Sequence, residues 1–404
     1  MKRINRLLGG ILLVSGTAIG AGMLALPVIT SFGGFFPSLA LLLLCWLFLL
    51  STSFILLDVN LSFPHEVNLI SMASHTLGVP GRLLCWVAYL LLLYSLTAAY
   101  MAGSAPIFMQ MIAFATGWSP PDWMGPLPLF IIFGFFVYLG TSSVDRVNRF
   151  LMAGLILSYF FLISFLPSHI NPPLLAHVDL KAMWIGVPVV ITSFGFHSII
   201  PTLTTYLHRD RKQLRLTLFI GSLIPFFVYV IWEFLILGIV PIEGDGGLLS
   251  AWAKGETAAA SLSLLLANPW LGRIASAFSL FAIITSFLGV SLSLTDFLTD
   301  GFKMKRFSWG REFASLLTFL PPLLFVYTYP GGFILALQYA GIFVAILLCI
   351  LPALMAWTLP RYRTRLRRCL LLSVLLLSSG VIVFDILEER GVLRELIQPY
   401  LSRG

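Results

Sequence analysis

Long apolar runs, separated by short polar or basic clusters, recur along the whole chain. A hydrocarbon core about 30 Å thick needs roughly 20 apolar residues per helical crossing. The pattern predicts eleven runs, at 7–30, 35–58, 83–114, 127–142, 147–166, 182–206, 214–240, 270–297, 312–328, 332–357 and 369–386. The fourth and ninth are short, and the ninth carries Pro321 and Pro322 near its centre. Two runs contain features that a spanning helix ordinarily avoids. The first holds Gly16, Gly20 and Gly22; the sixth holds Gly195 between Pro188 and Pro201.

Set side by side, Thr17, Gly20 and Pro27 of the first run correspond to Thr192, Gly195 and Pro201 of the sixth. Paired interruptions in matching halves are a pointer to a transporter site between repeats. The expected architecture is therefore a single all-α membrane domain. Residues 7–168 form one five-helix repeat, residues 181–358 a second, and residues 369–386 an extra helix. Because five is odd, the second repeat starts on the opposite side and is inverted.

An unwound turn at mid-membrane is tolerable only where it lines a protein cavity or holds a ligand. Glycine suits it through positive φ and close backbone approach. The helix start after each break offers free N–H groups and partial positive charge, matching a carboxylate; the carbonyls ending the half-helix before it match an ammonium group or cation. An amino-acid zwitterion fits both. The spacing of Gly16 and Gly20 equally suits close helix packing.

Composition narrows the class. The chain has 404 residues, 59% hydrophobic and only 10% charged, against about 25% charged in soluble domains. The first run follows Lys2, Arg3 and Arg6 but is too long for a signal peptide and is followed directly by another span, so it reads as retained. With the spans alternating in direction, 19 of the 25 basic residues fall on the same side of the membrane as the N-terminus, leaving Lys181, Lys254, Arg273, Arg390, Arg394 and Arg403 on the other. The positive-inside rule then places the N-terminus in the cytoplasm and the C-terminus outside. The net charge of +8 reflects that topology, with no nucleic-acid partner implied.

Cys45, Cys85, Cys349 and Cys369 lie in or beside predicted helices without a CxxC pair. They read as buried apolar thiols, with no metal, cofactor or disulfide framework. The stretch 243–269 predicts one or two short external helices over the bundle, a candidate lid. Neither HExxH, GxSxG nor paired catalytic aspartates occur at membrane depth, which excludes an enzyme. No repeated filter loop or ring of charge suggests a channel.

The stretches GTAIGAGMLALP (Gly16 to Pro27), LTAAYMAGS (Leu96 to Ser104), VDRVNRFLM (Val144 to Met152), TSFGFHSIIPTL (Thr192 to Leu203), WEFLILGIVP (Trp232 to Pro241), TSFLGVSLSLTDFLTDGF (Thr285 to Phe302) and YPGGFILALQYAG (Tyr329 to Gly341) resemble, in order, the hydroxy and aromatic amino acid permeases, specifically their tyrosine and tryptophan branch. The resemblance implies a leucine-transporter-like fold with inverted five-helix repeats. It also implies proton-coupled uptake of an aromatic amino acid, tyrosine foremost, across a bacterial inner membrane. Ser198 departs from the glycine expected after TSFGFH.

The expected substrate contacts are Thr17, Ala18, Ile19, Gly20, Ala21 and Gly22 at the first break and Thr192, Ser193, Phe194, Gly195, Phe196 and His197 at the second. Thr17 and Thr192 would cap the broken ends, or else bond back to the preceding turn. Phe194 and Phe196 would cover an aromatic ring or simply pack. Tyr94 and Thr97 share a face of the third span. His197 would read a substrate hydroxyl or relay protons, and Glu233 at membrane depth would load and release them. Thr285 and Ser286 would hold a sodium ion in the alternative of a sodium-coupled carrier of serine or threonine type. Asp58, Asp296 and Asp385 are expected to cap helices or face water.

Overall fold

Why the chain bends where it does follows from its punctuation. The computed structural model describes residues 2–266, 268–302, 310–390, 398 and 400, with the backbone alone for 2–5, 311, 388 and 389. Lys303, Lys305, Arg306, Arg394 and Arg403 of the charge pattern lie outside the described residues, as do the side chains of Lys2, Arg3 and Arg311. The helices are α1 Lys2–Ala18, α2 Gly22–Thr30, α3 Phe35–Ser62, α4 Leu69–Thr116, α5 Gly134–Leu139, α6 Thr141–Phe165, α7 Pro172–Leu175, α8 Val187–Ser193 and α9 Ile200–Tyr206. They continue as α10 Arg211–Ile239, α11 Leu248–Lys254, α12 Ala258–Leu265, α13 Pro269–Gly301, α14 Gly310–Thr328, α15 Phe333–Val344, α16 Leu351–Trp357 and α17 Arg365–Glu389.

Polar side chains start several of them. Asn68, Asp210, Thr257 and Asn268 each accept a hydrogen bond from a first-turn N–H of α4, α10, α12 and α13, satisfying donors that a helix start leaves orphaned. Helix α4 is bent early along its length, at Gly78 (φ 71°).

Among the described residues, nine helices are long and apolar enough to cross a membrane, or ten when the bent pair α1 and α2 counts as one. Glu312–Thr328 is apolar but shorter. Two groups of helices form around the breaks. One joins α1, α2, α3, α8 and α10; the other joins α4, α5, α6, α13 and α14. The candidate lid is two short helices, α11 and α12, seated on α2, with α12 also against α13. Trp252 of the lid meets Phe32 edge to face, ring centroids 5.8 Å apart.

Three expectations are corrected. Asp385, expected to cap a helix or face water, is buried within α17. Asp58 does not face water: its side chain is 4% exposed and paired with Arg211, with Arg361 at 3.2 Å and Arg215 at 3.8 Å. The Tyr362 hydroxyl donates to the same carboxylate at 3.0 Å. A charge at that depth is tolerable because its partners arrive from α10 and from the turn between α16 and α17. Cys369 is exposed, unlike the buried Cys45, Cys85 and Cys349, because it sits on α17 at the edge of the bundle.

Candidate functional site: the cavity between two helix breaks

Helix α1 stops at Ala18 and α2 starts at Gly22, the two axes differing by 54°. Ser286 of α13 holds the turn between them. Its hydroxyl donates to the Ala282 carbonyl at 2.9 Å and accepts from the Ala21 N–H at 3.0 Å. A Cβ on Gly20 would lie 2.5 Å from that oxygen, and one on Gly22 would lie 2.8 Å from the Ser193 hydroxyl. Close approach is therefore what requires glycine here. Positive φ is not: Gly20, Gly22 and Gly195 all lie outside the left-handed region, which corrects that part of the expectation. Gly16 has no described atom within 4 Å of where its Cβ would be, so it is not a helix-packing glycine.

The second break has the same plan. Helix α8 ends at Ser193, residues 194–196 leave the helix, His197–Ile199 form a short 3-10 turn and α9 resumes at Ile200. The Gly195 N–H donates to the Thr192 carbonyl at 3.2 Å.

Between the breaks lies a cavity of about 490 Å³. Of the expected residues, Thr17, Ala18, Ile19, Gly20, Gly22, Thr192, Ser193, Gly195, Thr285 and Ser286 line it. Both threonines beside the breaks take the local alternative, donating to Leu13 at 2.7 Å and Pro188 at 2.9 Å. Thr192 also reaches the Leu337 carbonyl of α15 at 3.1 Å. Among the described residues, the wall contains no Asp, Glu, Lys, Arg or His.

Other expected residues sit elsewhere. Ala21 is buried behind the turn. Phe194 packs on Tyr229 and Phe196 stacks on His197, both fully buried, so neither ring covers the cavity. The Tyr94 hydroxyl donates to Leu317 of α14 at 2.8 Å, and Thr97 bonds back to Leu93 at 2.7 Å. His197 Nε2 is 2.8 Å from Thr52, whose own hydroxyl donates to Leu49; the ring nitrogen is then the donor. Glu233 faces Thr30 of α2, its oxygens 2.9 and 3.0 Å from that hydroxyl.

Sequence reasoning assigned no role to Asn148, Met152, Tyr89 and Ser198, all in the cavity wall. Tyr100, in the stretch LTAAYMAGS and further along the third span than Tyr94, lines the cavity where Tyr94 does not. The buried Oδ1 of Asn148 has no partner among the described atoms. Asn148 lies in the polar stretch from Asp145 to Arg149 at the start of its predicted run, so nothing local set it apart.

The family model described as the tryptophan/tyrosine permease family matches residues 3–387. This chain belongs to that family. The tyrosine-specific transport system 1 of Haemophilus influenzae is 34% identical over 90% of this chain and 90% of its own length. The tryptophan-specific transport protein of Pseudomonas aeruginosa is 32% identical over 88% and 87%. Among solved structures, MhsT in complex with L-phenylalanine superposes with a TM-score of 0.63 at 15% identity, covering 94% of this chain and 98% of that one. The fold is thus leucine-transporter-like. Members of the permease family are transporters of aromatic amino acids, and the chain is a multi-pass membrane transporter and not an enzyme.

Proposed function

We propose that this permease imports tyrosine by proton symport across a bacterial inner membrane, with its N-terminus in the cytoplasm and its C-terminus outside. The observation that carries the reading is the uncharged cavity of about 490 Å³ shared by the two breaks, within the range of small-molecule sites. The carboxylate faces the start of α2. There Met23 and Leu24 turn back to Gly20 and Ala21, and the Gly22 N–H remains as a donor. Asn148 offers the acceptor for a phenol hydroxyl. Residues 7–168 and 181–358 act as inverted repeats. The group bearing α1, α2, α8 and α10 rocks against the group bearing α4, α13 and α14, which alternates access to the substrate.

Glu233 carries the proton. The Thr30 hydroxyl also lies 2.8 Å from the Leu26 carbonyl. When its single hydrogen goes there, the contact with Glu233 needs a hydrogen from the carboxyl. His197 steadies the second break through Thr52. A sodium-coupled reading has one observation of its own: Thr285 is in the wall and spends its hydrogen on carbonyls of its own helix, leaving its oxygen lone pairs outward, whereas the Ser286 oxygen beside it already accepts the Ala21 N–H.

Radiolabelled tyrosine uptake into proteoliposomes, under a proton or a sodium gradient, tests both. The expected result is proton-driven accumulation suppressed by unlabelled tryptophan and phenylalanine. Uptake that follows sodium, or that serine alone suppresses, overturns the reading.

A further inference from the structure

The two half-helices that end at the cavity, α1 and α8, each finish with carbonyls that have no intrahelical partner and with about half a negative charge from the helix dipole. Two such ends brought together repel unless something positive lies between them. In transporters with broken helices, carbonyls of this kind coordinate the coupling cation. Here the position is filled by a side chain. The Tyr229 hydroxyl lies 2.6 Å from the Ala18 carbonyl oxygen and 2.8 Å from that of Ser193, the last residue of each half-helix. Tyr229 is fully buried, and its ring packs against Phe194 with centroids 5.0 Å apart. One hydroxyl hydrogen is shared by two acceptors.

We infer that Tyr229 is a positioning residue whose tethered hydroxyl replaces a monovalent cation, tying the C-terminal ends of the two broken helices together so that the break geometry does not depend on a bound ion. Its consequence for transport rests on the import reading; the structural claim does not. Two results follow from the geometry. The Ala18 and Ser193 carbonyls are already committed, so the substrate ammonium goes to other carbonyls of the first break, those of Gly16 and Thr17, which also line the cavity. Coupling, too, must act elsewhere. Glu233 lies one turn further along α10 on the same face and reaches α2 through Thr30.

The test uses the full chain, purified and reconstituted, as wild type, Tyr229→Phe and Tyr229→Ala. Thermal melts compare sodium chloride with choline chloride at equal ionic strength, and tyrosine binding and uptake are measured in the same two salts. Wild type is expected to be indifferent to sodium in its melt. Tyr229→Phe keeps the ring and loses only the hydroxyl, leaving two buried acceptors unpaired, with a roughly tenfold loss of tyrosine affinity. Tyr229→Ala vacates the space between the carbonyls, and sodium but not choline should raise its melting temperature and restore part of its uptake. A merely structural tyrosine would give no sodium-specific rescue.

The inference is overturned by Tyr229→Phe matching wild type in affinity and turnover, or by a folded Tyr229→Ala that is blind to sodium. If Tyr229→Ala does not fold, Tyr229→Phe decides alone. Wild type that moves no aromatic amino acid, with Tyr229→Ala still stabilised by sodium, would remove the import reading and leave the inference standing.

Discussion

At the residue scale, the site works by backbone groups that a few side chains hold in place. Ser286 is the example at the first break, because its oxygen takes the Ala21 N–H while occupying the space next to Gly20. Gly20→Leu forces a side chain into that space, an overpacking cost of about 1–3 kcal/mol, and should abolish uptake in protein that is correctly inserted. Normal tyrosine uptake by that variant would remove the breaks from the mechanism. Glu233→Gln keeps a hydrogen-bonding partner for Thr30 but cannot carry a proton. Accumulation against a gradient should disappear, while exchange of labelled for unlabelled tyrosine across the membrane persists. Undiminished proton-driven accumulation would mean that the proton travels by another route.

At the element scale, the end of α2 opposite the break is clamped by chain from the segment after α7. The His177 ring nitrogen meets the Phe32 carbonyl at 3.0 Å, and the Asp179 N–H donates to Gly33 at 2.9 Å. The Asp179 carboxylate accepts from the Lys181 and Ala182 N–H groups at 2.9 and 3.0 Å and from the Tyr400 hydroxyl at 3.1 Å. Partial burial pushes this carboxyl up, but those hydrogen bonds and His177 outweigh it and hold it below the ordinary carboxylate range. A carboxyl depressed in the folded state stabilises fully above its unfolded value, about 3.9, and loses that contribution as pH falls through the lower folded value. Melting temperatures of wild type and Asp179→Asn should therefore differ at neutral pH and converge in acid below about pH 4. A difference that persists there would assign the clamp to packing alone.

At the scale of the whole molecule, the cavity extends from the breaks toward the side on which α1 begins. Leu69 at the start of α4, Asn148 and Met152 early in α6, Ser198 after the second break and Ser293 late in α13 all lie in its wall, and successive spans alternate in direction. On the other side α11 and α12 cover α2. With a cytoplasmic N-terminus this is an inward-facing arrangement. In a Cys369→Ser background, which removes the exposed native thiol, Ser198→Cys should react with an impermeant maleimide in inside-out vesicles and not in intact cells, and tyrosine should protect it. Labelling from the outside would reverse the orientation.

Apolar runs near 20 residues long have one way to satisfy their backbone in lipid, the helix. For that reason the sequence alone marked most of the apolar helices and singled out Gly20 and Gly195 within two of them, although the eleven expected spans become nine, or ten with α1 and α2 taken as one, among the described residues. Side-chain roles divided differently. Tyr94 and Tyr100 are alike in the sequence, yet one donates to α14 and the other lines the cavity, because rotation of α4 about its axis is set by its neighbours. Asp58 read as a helix end near water until Arg211 and Arg361 arrived from distant parts of the chain. Tyr229 carried no local signal, since its two partners are backbone carbonyls of α1 and α8. Only the tertiary structure decided these, because a side chain's work inside a membrane bundle depends on which helix faces it, and that is a property of the packing.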